Sequence, residues 1–485
     1  MRLRNAITGF AEVQWKTAVP VLYFTGCLLA GLLTMQDTWL AVPFILVLLP
    51  VFLSRIDYLF ALLLVTLPLS VEMAITASLG LDFPDEPVMM LTTAIVAIWL
   101  VYRPGTFPPV LLRSRLAMIL LLQLVWTLVT CIFSVSVLVS VKYTLAKLWF
   151  LVPFVVLPVI VIRQLKDLFR VAVLLVVPLL LVAILALFRH GMLGFSFQKV
   201  NAAVTPFFRN HVNYSAMLSC MGIVVCGLLA FHKHNKVWQW SARLALGIIM
   251  IAIVFAYSRG AWLGIIVALG AWWLLRKGKL PLAMILVTAT LTVAGLWLSH
   301  NNHYMAYANQ HDKTIYHQEL SGHLKATVAM TDVSNAERFY RWVAGARMFA
   351  DEPFLGMGPS TFYPTYKRYT VGAFATWVSD NPERSTVHNY YLMLLCEQGI
   401  PGLVLFWLLL YGAVAQAQRI YLNAPSRPYK ITALVLACIL ANIAALIFYN
   451  DLIETDKIGS LFYLCIGVLI ALPVMMKRNG VAGRG

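Results

Sequence analysis

The sequence predicts an all-α polytopic membrane protein with about fourteen transmembrane helices. Its 485 residues are 61% hydrophobic and only 12% charged, and the mean hydropathy is +0.81. A soluble domain carries about a quarter charged residues, so this composition excludes a soluble enzyme. The apolar runs are about twenty residues long, which favours helices because the strands of a membrane barrel are shorter and alternate in polarity.

Apolar segments of span length follow one another along most of the chain. We place them near residues 18–36, 38–53, 57–79, 88–102, 116–133, 144–162, 170–188, 211–231, 241–257, 261–275, 281–299, 401–420, 430–450 and 457–475. Several are short, and 38–53 is also compatible with a re-entrant helix, so the count is about twelve to fourteen. No small-residue cleavage site follows the first apolar run, which predicts a retained span rather than a signal peptide.

The basic residues predict the orientation of these spans. With the N-terminus inside, the inner segments hold about 22 of the 37 lysines and arginines, as the positive-inside rule requires. The short outer segment DFPDEP (82–87) is acidic. An even number of spans leaves both termini on the inner side and the long polar segment 300–385 on the outer side.

The outer segment is long enough, at about 86 residues, to have structure of its own. Apolar residues at helical spacing predict a helix in NAERFYRWVAGARMFADEP (335–353), with Asn335 as its N-cap and Pro353 as its stop. LGMGPSTF (355–362) then reads as a Gly/Pro turn. The predicted organisation is a helix array at 1–299, an outer region at 300–400 and C-terminal transmembrane helices at 401–485.

Neither the histidines nor the cysteines indicate a metal site. The seven cysteines lie in apolar segments, where we expect small buried side chains. No acidic pair of Asp-x-Asp type appears in the outer segments, so we expect no metal and no other cofactor. The outer histidines match no closed zinc pattern; they are His300, His303, His311, His317 and His323.

Lys147 and Arg259 lie where the positive-inside rule does not place basic residues. Lys147 sits about one turn inside an apolar helix, where a lysine is costly and by default a functional candidate. The alternative interpretation is that the Lys147 side chain extends to the outer membrane interface. Arg259 lies in the tight outer turn Ser-Arg-Gly, where Gly260 and Gly264 allow close backbone approach. The alternative interpretation of Arg259 is a contact with lipid phosphate.

Arg209 is a third such residue, and it precedes the start of a predicted span. His211 and Asn213 follow it there, where free backbone N–H groups favour anions. The alternative is a capped, solvated helix end. With the other basic residues of the outer segments, these cations predict a polyanion at the membrane surface. Because the guanidinium fork binds two phosphate oxygens at once, a diphosphate on a lipid tail fits best.

The segment TVHNYYLMLLCEQGIPGL (386–403) predicts a short helix followed by a break. Residues 386–398 make about 20 Å of helix, too short for a hydrocarbon core of about 30 Å. The break at 399–402 then separates this helix from a true span. His388 at the N-terminal end is expected to stay neutral there and to act as a general base. The alternative interpretation of His388 is a capping histidine. Glu397, roughly on the opposite face, is expected to pair with a basic residue of another element or to anchor the break.

The pattern H-N-x-x-L-x-x-L-x-E-x-G-x-x-G at 388–402 resembles the signature of the O-antigen ligase and polymerase superfamily of bacterial envelope assembly. Three further stretches resemble that family: SRGAWLG at 258–264, FFRNHVNYSAML at 207–218 and ARMFADEPFLGMGPSTF at 346–362. Together they cover the C-terminal 280 residues or so, whereas the first 200 match only as a hydrophobic helix array.

The resemblance implies a metal-independent, inverting glycosyltransferase of the GT-C-like class in the bacterial inner membrane, with a periplasmic site. Its donor would be a glycan on undecaprenyl diphosphate. Ligases transfer this glycan to lipid A-core, polymerases to another repeat unit, and related enzymes to protein. The roles implied are catalysis for His388, supported by Asn389, and diphosphate binding for Arg209 and Arg259. Arg338 and Arg341 carry over less directly, and no nucleic-acid partner is expected.

The preferred interpretation is an O-antigen ligase, with a polymerase or a protein glycosyltransferase as alternatives. A transporter of lipid-linked sugars would instead show cations deep in many spans, inverted repeats and midplane helix breaks. The sequence has only Lys147 inside a span and no repeat. A structural scaffold would leave the outer cations and His388 unexplained.

Overall fold

The computed structural model describes residues 55–76, 79–103, 105, 107–231, 234–313, 333–376, 379–381 and 385–482. The predicted spans 18–36 and 38–53 lie outside the described residues. The helices, in chain order, are α1 (Ile56–Thr66), α2 (Asp85–Tyr102), α3 (Pro109–Arg113), α4 (Arg115–Ile132), α5 (Val137–Leu151), α6 (Leu157–Val161), α7 (Leu165–Met192), α8 (Val200–Val204), α9 (His211–Phe231), α10 (Lys236–Phe255), α11 (Arg259–Arg276), α12 (Leu280–Ser299), α13 (Val333–Asp351), α14 (Phe362–Thr365), α15 (Tyr390–Asn423), α16 (Arg427–Leu446) and α17 (Asp456–Ala482).

Short irregular elements connect these helices. A π-helical turn at Val152–Val156 joins α5 to α6. Strands β1 (Val71–Thr76) and β2 (Leu79–Phe83) pair in an antiparallel hairpin between α1 and α2. The 3-10 turns occupy Phe197–Lys199, His300–Lys313, Tyr366–Tyr369, Gly372–Phe374 and Leu452–Glu454.

Ten helices within the described residues are long and apolar enough to cross a membrane. The prediction of a helical polytopic membrane protein is confirmed at this level, although ten is fewer than the predicted fourteen. Helix α11 has the predicted position of the span 261–275, but its arginines and tryptophans make it less apolar than those ten. The ten spans are Asp85–Tyr102, Arg115–Ile132, Val137–Val161, Leu165–Met192, His211–Phe231, Lys236–Phe255, Leu280–Tyr307, Tyr390–Asn423, Arg427–Leu446 and Asp456–Arg478.

The predicted span 57–79 is wrong. Helix α1 ends at Thr66 after 11 residues, about 16 Å, which does not reach across a hydrocarbon core. The chain then turns into the β1–β2 hairpin, where Val71 pairs with Phe83 and Glu72 with Asp82. An apolar run of this length has the same composition whether it forms one long helix or a short helix and a strand.

Close helix contacts bring α9, α11 and α16 together, as the glycines of the Ser-Arg-Gly segment predict. A Cβ atom on Gly264 of α11 would overlap the Asn442 side chain of α16. Asn442 in turn donates a hydrogen bond from Nδ2 to Ser219 Oγ of α9 at 2.9 Å. Among the ten spans, helix α17 is the most enclosed, since 89% of its most apolar stretch is buried. These contacts fix the helix ends on which the candidate site is built.

The break predicted after Gln398 is confirmed, but the helix before it begins later than predicted. Helix α15 starts at Tyr390, not at Thr386, and bends at Gly399, whose backbone lies at φ 65° and ψ −169°. The predicted outer helix is also present as α13. It starts at Val333, so Asn335 lies within the first turn instead of capping it.

Candidate active site

The turn at 353–360 lies directly against the bend of α15, and backbone atoms make the contact. The N–H of Ile400 donates to Pro353 O at 2.9 Å, and the N–H of Met357 donates to Cys396 O at 2.8 Å. Gly356 and Gly399 both have positive φ angles, 69° and 65°. A Cβ atom on Gly399 would overlap the Phe354 carbonyl group. The two glycines therefore allow the turn and the bend to touch.

Glu397, which the sequence could not assign, fastens this turn to α15. The carboxylate is 2% exposed. Its Oε2 accepts the N–H of Ser360 at 2.7 Å, and its Oε1 accepts the N–H of Phe362 at 3.0 Å. The predicted pairing with a basic residue is thus wrong, because the partners are backbone N–H groups of the turn. The contact agrees with the alternative prediction, that Glu397 anchors the break.

The same junction includes the neighbouring helices α4 and α5. Gln398 O accepts the indole N–H of Trp126 from α4 at 2.8 Å. Ser140 of α5 donates from Oγ to Pro359 O at 2.7 Å. The bend, the turn and these two helices form one rigid support for the N-terminal end of α15, where the predicted catalytic histidine lies.

His388 lies two residues before the first helical residue of α15, outside the helix in which it was predicted. Asn389 is the N-cap, and its Oδ1 accepts the N–H of Leu392 at 3.0 Å. The N–H of Tyr390 donates to Ile447 O at the end of α16, at 2.9 Å. His388 itself has φ 53°, a backbone conformation that is uncommon for a residue other than glycine and concentrates at functional sites.

Asp451 is the nearest charged partner of His388, and the sequence analysis missed it. Its Oδ1 lies 3.9 Å from Nδ1 of the imidazole, and the two side chains are 24% and 30% exposed. Nδ1 of His388 is buried and has no hydrogen-bond partner in the described residues. The pair is partly exposed, and its two atoms lie slightly beyond hydrogen-bonding distance. The signal in the sequence is the acidic stretch NDLIETD between the last two spans.

The ionisation of both groups is set by their surroundings. Burial, together with the positive charges of Arg341 and Arg338, lowers the pKa of His388 to about 3. Burial raises the pKa of Asp451, while a hydrogen bond from Thr386 and the charges of Arg209 and Arg341 act in the opposite direction. His388 is therefore neutral at pH 7, as predicted, although the cause is burial and arginines instead of a helix dipole.

The structure brings Arg209, Arg338 and Arg341 together around this pair. The positive charges of Arg209 and Arg341 both favour the ionised carboxylate of Asp451. Those of Arg341 and Arg338 both disfavour protonation of the His388 imidazole. Arg341 is nearly buried and forms an ion pair with Glu337 at 3.4 Å. Arg209 is exposed. The cluster combines one guanidinium held by an ion pair with one that faces solvent.

His211 and Asn213 lie at the start of α9, next to Arg209. The positive charge of Arg338 acts on the imidazole of His211. Nδ1 of His211 lies 2.8 Å from Asn201 Oδ1. The backbone N–H of Asn213 donates to Asn210 Oδ1 at 2.9 Å. These residues support the helix start that carries Arg209.

Lys147 does not join the arginines, because it has a partner of its own. Its Nζ lies 2.7 Å from Glu454 Oε2 and 2.8 Å from Oε1, and the residue is 8% exposed. The hydroxyl of Tyr143 donates to the same carboxylate at 3.0 Å. The charge of Lys147 is thus balanced by Glu454, which the sequence did not indicate. Glu454 follows Asp451 by one 3-10 turn, so this ion pair adjoins the His388 cluster.

Arg259 opens α11 at the same end of the helices as His388. A Cβ atom on the next residue, Gly260, would lie 3.7 Å from Leu446 Cδ2 of α16. The residue after Leu446 is Ile447, whose carbonyl accepts the N–H of Tyr390. Arg259 is partly buried. Its position at this end of α11 agrees with the predicted outer turn.

Comparison with known protein families gives one match. A family model described as O-antigen ligase matches residues 244–407, about a third of the chain, from α10 to the first half of α15. The matched part includes Arg259, Arg338, Arg341, His388 and Glu397, whereas Lys147, Arg209 and Asp451 lie outside it. No curated protein matches the chain. The family match confirms the resemblance carried by His388 and its neighbours, and it places this part of the chain, residues 244–407, in the O-antigen ligase-like superfamily.

Proposed function

We propose that the protein is a periplasm-facing glycosyltransferase of the bacterial inner membrane, with both termini cytoplasmic. It transfers a glycan from undecaprenyl diphosphate to an acceptor hydroxyl, and the preferred acceptor is lipid A-core, as for an O-antigen ligase. The observation that carries this proposal is the neutral His388 beside Asp451, surrounded by Arg209, Arg338 and Arg341. A general base and a cationic diphosphate site are what direct glycosyl transfer needs.

In the proposed mechanism His388 accepts the proton of the acceptor hydroxyl. The oxygen then forms a bond to the anomeric carbon of the donor glycan while the bond from that carbon to the diphosphate oxygen breaks. The electron pair of the broken bond stays on the diphosphate, and the anomeric configuration inverts. Asp451 stabilises the imidazolium that forms, because its carboxylate lies 3.9 Å from Nδ1 and closes to hydrogen-bonding distance with substrate bound.

The arginines bind the donor diphosphate and stabilise the negative charge that develops on it. Arg209 is the exposed member and makes the first contact, while Arg341 is held in place by Glu337. Arg259 is placed at the same end of the helices and extends the anion site along the membrane surface. Lys147 contributes indirectly, because its ion pair with Glu454 fixes the turn that follows Asp451.

Purified full-length protein in liposomes tests this function with an undecaprenyl-diphosphate-linked glycan as donor. A ligase transfers the glycan to lipid A-core and leaves the donor unextended without that acceptor. A polymerase instead extends one donor glycan with another, and a protein glycosyltransferase needs a polypeptide acceptor. Absence of transfer to all three acceptors, with the donor intact, would contradict the proposal.

In the pH profile of kcat/KM, the fall in activity on the acid side is expected well below pH 6.5, which is about the usual pKa of histidine. The neutral imidazole is the active form, and its pKa in the free enzyme is about 3, so activity should stay flat from neutral pH down to about pH 5. Removing a positive neighbour by Arg338→Gln should raise the pKa of His388 and move this fall in activity to higher pH. The measurement is the pH profile of kcat/KM for both proteins.

Arg347→Gln is the matched control for this pH profile. Arg347 lies on the same helix, α13, but it is exposed and donates to the backbone carbonyl of Tyr369 at 3.0 Å. Its removal should leave the fall in activity on the acid side in place. An inflection near pH 6.5 in the unmodified protein would show that burial and the arginines do not lower the pKa of the imidazole.

A further inference from the structure

A group of carboxylates lies between the hairpin and the last helix, outside the site described above. Asp82 belongs to β2, Asp85 begins α2 and Asp456 begins α17. One carboxylate oxygen of each residue lies within 4.8 Å of those of the other two. Asp85 is 0% exposed, whereas the other two are partly exposed. The neighbouring residues Asp82 and Asp85 thus meet Asp456, which is distant in the sequence, at a point that solvent can reach.

Asp85 has one carboxylate oxygen that no donor among the described residues satisfies. Its Oδ1 accepts the N–H of Glu86 at 2.9 Å. Its Oδ2 is buried and has no hydrogen-bond partner in the described part of the chain, although the Ser70 hydroxyl approaches the carboxylate. Buried carboxylate oxygens are normally bonded to a donor or a cation, so an orphaned one beside two further carboxylates points to a ligand.

Lys457 is the basic side chain closest in the sequence to this cluster, and its hydrogen bonds go elsewhere. Nζ donates to Leu67 O at 3.1 Å and to Ser70 O at 3.2 Å, and it also contacts Ser70 Oγ. An ammonium group has three donors, and these three acceptors use them. Glu86 adds a fourth carboxylate nearby, since its Oε2 accepts the N–H of Asp82 at 2.9 Å. One lysine therefore does not balance the charge of this group.

We propose that Asp82, Asp85 and Asp456 bind a hard divalent cation, Ca²⁺ or Mg²⁺. Both ions prefer oxygen ligands, and both are commonly held by a few carboxylates with water in the remaining positions. The cation would use the orphaned oxygen of Asp85 and would offset the repulsion among the three carboxylates. The partly exposed Asp82 and Asp456 leave room for water and a path of entry.

The proposed cation would fasten the hairpin and α2 to the start of α17. Asp456 follows the 3-10 turn Leu452–Glu454, which carries Glu454 and comes directly after Asp451. Cation binding would thus hold the chain that presents Asp451 to His388. The site has a structural role, and its existence does not depend on the proposed function.

The test uses the full-length protein in detergent, freed of divalent ions with EDTA and then titrated with CaCl₂ or MgCl₂ at pH 7.5. We expect one saturable site by isothermal titration calorimetry and a rise of several degrees in the unfolding temperature. Asp82→Asn should weaken binding at least tenfold, and this partly exposed position tolerates the change. Glu352→Gln, which alters an exposed carboxylate on the outer segment, should bind like the unmodified protein.

Two results would overturn the proposal. One is the absence of saturable binding to the unmodified protein, or equal binding by Asp82→Asn and Glu352→Gln. The other is an unfolding temperature that rises on acidification to pH 5 but does not respond to either cation, because the carboxylates would then share a proton instead of a metal. If Asp82→Asn does not fold, Asp456→Asn with the same titration replaces it. Preference for CaCl₂ or MgCl₂ identifies the ion.

Discussion

Replacing His388 by alanine is expected to reduce kcat for glycan transfer by about 10²- to 10⁴-fold. The imidazole is neutral at pH 7, because burial and two arginines lower its pKa to about 3. Asp451 lies beside it and would stabilise the imidazolium that forms when it accepts the acceptor proton. The arginines that bind the diphosphate remain in place in this variant. The KM for the lipid-linked donor should therefore change little, and the loss should appear in kcat. Initial rates at varied donor concentration provide the measurement.

His303→Ala is the control for this substitution. His303 is a partly exposed histidine of the outer region, and its ring Nδ1 lies 2.9 Å from Trp297 O. Its removal should leave transfer unchanged. Unmodified turnover by the His388→Ala protein would remove His388 from catalysis. A raised donor KM with normal kcat would assign the histidine to donor binding.

Asp451→Asn separates the two members of the pair. Asparagine keeps the size of the side chain but removes the charge that stabilises the imidazolium, so its effect should depend on His388. In the background of His388→Ala, the change at Asp451 should therefore add little further loss. Additive losses from the two changes would show that Asp451 acts independently of the histidine.

Local patterns in the sequence predicted the parts of the site that local chemistry determines. The Gly399 break and the helix start after Arg209 each depend on residues within one turn of each other. The helical membrane class followed from composition alone. The hairpin at 71–83 was missed because an apolar run does not distinguish a continuous span from a short helix and a strand.

The partners of the charged residues could not be predicted, because they are far apart along the chain. Glu454 and Lys147 are 307 positions apart, and Glu397 binds backbone N–H groups about 37 residues before it. Asp451 meets His388 because Tyr390 and Ile447 join the ends of α15 and α16. Only the packing of the helices places these groups together, and one sequence carries no signal of that packing.

Gly399→Ala is expected to cause the largest loss of stability, on the order of 4 kcal/mol. Gly399 lies at φ 65° and ψ −169°, a backbone region that is essentially restricted to glycine. A methyl group there would also overlap the carbonyl group of Phe354 and lie 2.9 Å from Pro353 O. These are backbone atoms, and they cannot move aside as a side chain can. Thermal unfolding of the purified variant, followed with its yield in detergent, gives the measurement.

Gly295→Ala in α12 distinguishes this contact from a general effect of adding a methyl group. Beyond its own helix backbone, no atom of the described residues lies within 4 Å of a Cβ at Gly295, and its backbone is helical. Alanine should therefore be neutral or slightly stabilising there. An unfolding temperature for Gly399→Ala equal to that of Gly295→Ala would mean that the bend adjusts without the turn. If instead the contact holds, Glu397→Gln should destabilise the protein less than Gly399→Ala, because it keeps the backbone bonds and weakens only the two to the carboxylate. A smaller loss of stability for Glu397→Gln than for Gly399→Ala would show that the backbone contact between bend and turn contributes most of the stability. The same contact supports the end of α15 that presents His388.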